Sequence, residues 1–363
     1  MVEGALGSPR VTRIRSLDAL RGVAALAVVV FHFTVTFDHT GVFPGYRHAV
    51  ISFAGGRYGV QLFFVISGFV ILWSIQRQTT VGKFAYSRFS RLFPPYWASL
   101  LLISAYILFA QHVLDAGIGP LTFSAGQWFA NISMVPRWIP PFHYVEVDPA
   151  YWTLAIEMGF YLLIGLLMAL GLTKKNRIVP TMFTIWCADF ALNGIHFLSG
   201  MASGSRQPST GDYANLFLAG MALFLLFQDS DRPKRDRQIL WVMVWGAPVL
   251  EALRFQKVGA VVVLAVVTSV YLAIFRSIPL LDSRLLQWLG GISYSLYLMH
   301  EVPGYITMKL LLDHGWNRNL VVVVAIAQSF VLAVILNRTV EKPVTRWLRQ
   351  RSSAKRIVPV ATT

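Results

Sequence analysis

The chain has 363 residues, 55% of them apolar and 13% charged; a soluble domain carries about 25% charged residues, so a water-soluble globular enzyme is excluded. The net charge is +15, but the Lys and Arg are split among short loops with no continuous basic face. That distribution excludes a nucleic-acid surface and accords with orientation in a bilayer and attraction to anionic headgroups.

The apolar residues come in blocks of roughly 20, enough for a helix to cross a hydrocarbon core of about 30 Å. Ten spans are predicted, over residues 17–37, 57–76, 93–112, 151–171, 178–198, 213–228, 239–253, 258–277, 288–312 and 319–337. They predict an all-α polytopic membrane protein with about ten helices around a central cavity. The first block follows Arg10, Arg13 and Arg15, as a signal peptide would, but it is too long and contains Arg21, so it reads as a retained helix. The seventh block is short and holds Gly246, Pro248 and Glu251, which predicts a broken helix. The one cysteine, Cys187, lies inside the fifth block and excludes an internal disulfide or a multi-cysteine metal site.

An even number of spans puts both termini on one side. Most of the 32 Lys and Arg fall on that side, including Arg88 and Arg91, the Lys174–Arg177 loop and the tail. The positive-inside rule therefore predicts cytoplasmic termini. The long outer loop near 113–150 carries Pro136, Pro140, Pro141 and Pro149, which predict irregular backbone. Residues 1–350 read as the membrane domain and 351–363 as a basic cytoplasmic tail. About 25 residues follow the last span, so no soluble domain is expected there.

Four groups of residues are candidates for chemistry. Arg21 and His32 are three helical turns apart, which places them on one face about 16 Å apart. Charged residues at membrane depth are costly and usually face a cavity and a partner. The bland readings are an interfacial anchor for Arg21 and a hydrogen-bonded neutral imidazole for His32. Arg88 and Arg91 lie one turn apart at the predicted mouth of span three, where forked donors suit a phosphate or pyrophosphate, or serve only as flanking charge. Glu157 enters span four from the outside, as a catalytic carboxylate or a structural ion-pair partner. Tyr294, Ser295, Tyr297, His300 and Glu301 put polar groups in span nine, where Pro303 predicts a kink or break. No Gly-rich phosphate loop, HExxH or Cys/His cluster occurs, so no metal is expected.

In chain order, the stretches "LDALRGVAALAVVVFHF", "GVQLFFVISGFVI", "RFSRLFPPYW", "WTLAIEMGFYLL", "ISYSLYLMH" and "VEKPVTR" together resemble the acyltransferase-3 family of integral membrane O-acyltransferases. The resemblance implies transfer of an acyl group, often acetyl, from cytoplasmic acyl-CoA to a hydroxyl, commonly on a sugar. By the same resemblance Arg21, Arg88 and Arg91 bind CoA phosphates, and His32 is the general base or carries the acyl group. Glu157 then orients His32, and Tyr294, Ser295 and His300 supply polar groups for substrate or structure. Gln61 stands where many members carry Asp, and Met299-His300-Glu301 where "WHW" is frequent. The expected setting is a bacterial cytoplasmic membrane. The expected acceptor is a lipid-linked or cell-surface saccharide, with a small product such as a macrolide as the alternative. A proton-coupled carrier would also use intramembrane Arg, His and Glu, and a catalytically inert scaffold is a third possibility.

Overall fold

The computed structural model describes residues 14–37, 52–77, 80–113, 124–138, 146–198, 210–228, 231–255 and 257–354. Every regular element among these residues is helical. Eight of the helical stretches are long and apolar enough to cross a membrane. The protein is therefore an all-α polytopic membrane protein, as its hydropathy predicts.

The helices, in chain order, are α1 (Arg15–Phe31), α2 (Gly59–Arg77), α3 (Val81–Val113), α4 (Ala125–Ile132), α5 (Trp152–Ala169), α6 (Ile178–Leu198), α7 (Ala214–Gln228), α8 (Lys234–Phe255), α9 (Lys257–Phe275), α10 (Arg284–Met299), α11 (Glu301–Asp313), α12 (Arg318–Leu336) and α13 (Lys342–Ala354). α1 continues through a π-helical turn over His32–Thr36, and a second π turn over Asn337–Glu341 joins α12 to α13. α4, on the outer loop, starts with a capping box in which Ser124 and Gln127 satisfy each other's backbone N–H groups.

Two close helix pairs set the frame. α1 runs against α10, where a Cβ on Gly290 would collide with the Asp18 carbonyl oxygen. α2 runs against α7, where a Cβ on Gly220 would stand within van der Waals radius of the Val65 carbonyl oxygen. In lipid, where apolar side chains gain little by leaving one oily environment for another, such small-residue contacts let backbones pack directly.

Three elements differ from the sequence expectation. α8 is one unbroken 22-residue helix despite Pro248. Neighbours α7, α9 and α6 hold it, Trp186 of α6 lying on Gly246, and a transmembrane proline is tolerated where neighbours support the freed backbone. α3 is a 33-residue helix that contains Arg88, Arg91, Pro94 and Pro95, so the two arginines lie within the helix and not on a loop before it. Span nine is divided at His300 into α10 and α11. Pro303 has no N–H to offer the Met299 carbonyl, and it sits in the first turn of α11, where no donor is needed. The Gly304 N–H bonds the His300 carbonyl at 3.0 Å and restarts the helix.

Candidate active site

A narrow, partly open cavity lies between α1, α2, α3, α5 and α10. Its polar lining includes Arg21, Arg88, Arg91, Ser67, Glu157 and Tyr161. Three guanidinium groups against one carboxylate leave it net positive. Arg88 is buried at 8% exposure. It donates to Ser74 Oγ at 2.8 Å and lies over the rings of Tyr161 and Phe84, while its Nε–H has no partner. A buried guanidinium with spare donor capacity is arranged to receive an anion. Arg21 is half-buried, one turn into α1, and interacts electrostatically with Arg91, Asp18, Glu157 and Glu341.

Glu157 accepts hydrogen bonds from Ser67 Oγ, at 3.1 Å, and from the Tyr161 hydroxyl. It does not reach His32, so the expected Glu157–His32 pair is absent and Glu157 belongs with the arginines. Tyr294 also lines the cavity and donates to the Leu92 carbonyl at 2.9 Å. Ser295 turns elsewhere, donating to Glu341 at 2.6 Å; Asn337 holds the same carboxylate oxygen at 2.8 Å. These bonds fasten α10 to the second π turn, and they are what Ser295 does in this fold.

His32 is not among the residues that line this cavity. It is the first residue of the π turn on α1, and such insertions occur often at functional sites. Its Nδ1 is 2.7 Å from His300 Nε2 and 3.8 Å from Glu301 Oε2, and the two imidazoles stack with centroids 4.9 Å apart. His300 Nδ1 stands 2.8 Å from the Tyr297 carbonyl oxygen.

These contacts assign the tautomers. A carbonyl only accepts, so His300 carries its proton on Nδ1 and presents a lone pair at Nε2. His32 must then donate from Nδ1, which leaves the lone pair of its neutral ring on Nε2. The His32 side chain is 15% exposed, while His300 is fully buried. The arrangement thus presents one basic nitrogen with its orientation fixed from behind.

The donor atoms of His32, His300 and Glu301 all lie within 4.8 Å of one another. Two imidazole ligands on one tetrahedral ion at about 2.0–2.1 Å would hold their nitrogens about 3.3 Å apart. The 2.7 Å found here is the spacing of a shared proton.

Tyr297 touches both the cavity and the histidine pair. Phe63 and Tyr297 line the cavity, their rings meet edge to face at 6.0 Å, and the Tyr297 ring lies 5.7 Å from that of His300.

The acyltransferase domain family model, Acyl_transf_3, matches residues 14–338. The chain belongs to the acyltransferase-3 family. Among its relatives are the peptidoglycan O-acetyltransferase OatA of Listeria monocytogenes, 22% identical over 92% of this chain and 56% of the relative, and the acyltransferase MdmB of Streptomyces mycarofaciens, 29% identical over 50% of this chain and 44% of the relative. The chain thus spans about half the length of each. A putative acetyltransferase of Acidianus two-tailed virus, ORF330, is 24% identical over 77% of this chain and 80% of its own length. No solved structure matches.

Sequence reasoning within this acyltransferase-3 chain grouped Arg21, Arg88 and Arg91, and the structure brings these three to one cavity; Glu157, which it assigned to His32, joins them there instead. It did not foresee Glu301 as the carboxylate beside His32, because that pairing depends on where span nine breaks. It also did not single out Asp148 or Arg318. Asp148 precedes Pro149 as an N-cap, which is a readable signal. Arg318 is a buried arginine that donates to the Phe33 carbonyl at 3.0 Å and lies 4.4 Å from the Phe37 ring centre, bracing the π turn.

Proposed function

We propose that the protein transfers an acyl group, acetyl in the simplest case, from cytoplasmic acyl-CoA to a hydroxyl of a cell-surface or lipid-linked saccharide. The protein sits in a bacterial cytoplasmic membrane with both termini inside. The saccharide rests on the OatA relative, whose name gives peptidoglycan as its substrate. The donor rests on the cavity: Arg21, Arg88 and Arg91 hold the CoA phosphates, and the flexible pantetheine arm carries the thioester past Phe63 and Tyr297.

At His32, Nε2 takes the proton of the acceptor hydroxyl. The acceptor oxygen attacks the thioester carbonyl, the new C–O bond forms and the C–S bond breaks. The departing CoA sulfur receives the proton from Nε2. His300 holds His32 in the required tautomer, and the Glu301 carboxylate stands beside the Nδ1–H of the imidazolium formed on the way, as a carboxylate does in hydrolytic triads. Glu157 keeps to the donor side, where it orders Ser67 and Tyr161 among the arginines.

The observation that carries this reading is the His32–His300 pair joined through Tyr297 to a three-arginine cavity. The test is incubation of purified protein with acetyl-CoA labelled in the acetyl group and a panel of saccharide and small hydroxylated acceptors. Covalent label on an acceptor supports the reading. A carrier would leave every acceptor unlabelled, and that result overturns it.

A further inference from the structure

Asp148 and Glu301 are two carboxyl groups buried together at the outer end of the site, at 0% and 3% exposure. Asp148 Oδ1 accepts from the Ala150 N–H at 2.9 Å, and Oδ2 accepts from the Val302 N–H at 3.3 Å. Asp148 thereby ties the start of α5 to the first turn of α11. The Glu301 carboxyl lies in hydrogen-bond contact with that of Asp148 and also faces the Ala150 N–H. The other titratable groups that face the pair are Tyr305 from α11, Tyr297 from α10, His300 between α10 and α11, Tyr96 from α3, Tyr151 at the start of α5 and His32 from α1. Among the described residues, neither carboxyl has a Lys or Arg partner.

Two carboxylates in contact without a cation cannot both stay ionised in a buried site. Burial, and then the neighbouring Glu301, hold the Asp148 carboxyl well above the usual carboxylate range. Glu301 Oε2 is the oxygen without a hydrogen-bond donor, and it is the one that points toward His32 Nδ1.

We propose that Asp148 and Glu301 hold a single proton, resident on Asp148, so that Glu301 presents one negative charge to His32. Asp148 is then a positioning residue that acts through Glu301. The proton on Asp148 donates to the Glu301 carboxylate, and the remaining charge balances the imidazolium while His32 carries the acceptor's proton. This rests on the transferase reading for its catalytic consequence, although the shared proton itself does not.

Asn is a neutral stand-in for protonated Asp, and Gln for protonated Glu. Asp148→Asn is expected to keep transfer within about threefold of the parent, whereas Glu301→Gln is expected to lose about 100-fold or more in kcat. The pH profile adds a readout that a mere capping role would not move. The parent is expected to lose activity again at high pH, when Asp148 ionises and the pair carries two charges, and Asp148→Asn is expected to lack that limb. Infrared spectroscopy of the solubilised protein at neutral pH tests the proton without activity. The parent should show a buried protonated carboxyl band that is absent from Asp148→Asn, and absent from Glu301→Gln because Asp148 then ionises on its two backbone N–H groups. Loss of transfer in a folded Asp148→Asn protein equal to that of Glu301→Gln would overturn the proposal. So would an infrared band that is the same in all three proteins. If Asp148→Asn fails to fold, the comparison of parent with Glu301→Gln still decides, and if the parent transfers nothing, the infrared result still stands alone.

Discussion

His32 Nδ1 stands 2.7 Å from His300 Nε2, although 268 residues separate them in the chain. The contact exists because a π turn ends α1 at His32 and a proline-enforced break divides span nine at His300. Each irregularity places an imidazole where a regular helix would not.

His300 fixes the His32 tautomer, so His300→Ala should lower kcat by about 10–100-fold, a fraction of the full general-base contribution of about 100–10,000-fold. KM for acetyl-CoA should stay near its parent value, since His300 does not line the arginine cavity. Steady-state kinetics on the folded variant checks this. An unchanged kcat would show that His32 needs no orienting partner.

Arg88→Ala should act on the donor. A hydrogen bond to a charged group contributes about 1.5–3 kcal/mol, which corresponds to a rise of roughly 10–150-fold in KM for acetyl-CoA. Saturating donor should largely restore the rate. A variant with parental donor saturation would remove the phosphate assignment.

Phe63 lines the cavity and packs against Tyr297, which abuts His300, so Phe63→Ala should make room at that end for longer acyl chains. The ratio of kcat/KM for butyryl-CoA over acetyl-CoA should rise about tenfold, within the range a few methylenes command in an apolar pocket. An unchanged ratio would mean that the thioester takes another route.

Gly290→Ala should destabilise the α1–α10 contact, because the added Cβ would collide with the Asp18 backbone oxygen and neither backbone can yield locally. Overpacking of this kind costs about 1–3 kcal/mol. Thermal unfolding of the solubilised protein should show a lower Tm, with Gly291→Ala as the control, since a Cβ at Gly291 meets nothing within 4 Å.

Much of the architecture was legible in residue pattern alone. Twenty-residue apolar blocks report span length directly, and the Arg88/Arg91 spacing reports a shared helix face. What escaped reading was decided by neighbours. Pro248 looks like a break until α6, α7 and α9 are seen to support it. Ser295 looks like a substrate contact, but the π turn after α12 brings Glu341 to it. Glu157 and Glu301 are both carboxylates at membrane depth, and only the three-dimensional packing assigns the first to the arginines and the second to His32.

The central claim is that His32 performs the proton transfer in acyl transfer, and one measurement addresses it most directly. Purified parent and His32→Ala proteins, matched for Tm and for binding of CoA, are given labelled acetyl-CoA and an acceptor that the parent labels. The account expects the variant to bind donor normally and to lose label transfer by about 100-fold or more. Transfer by folded His32→Ala at a rate near that of the parent would contradict it.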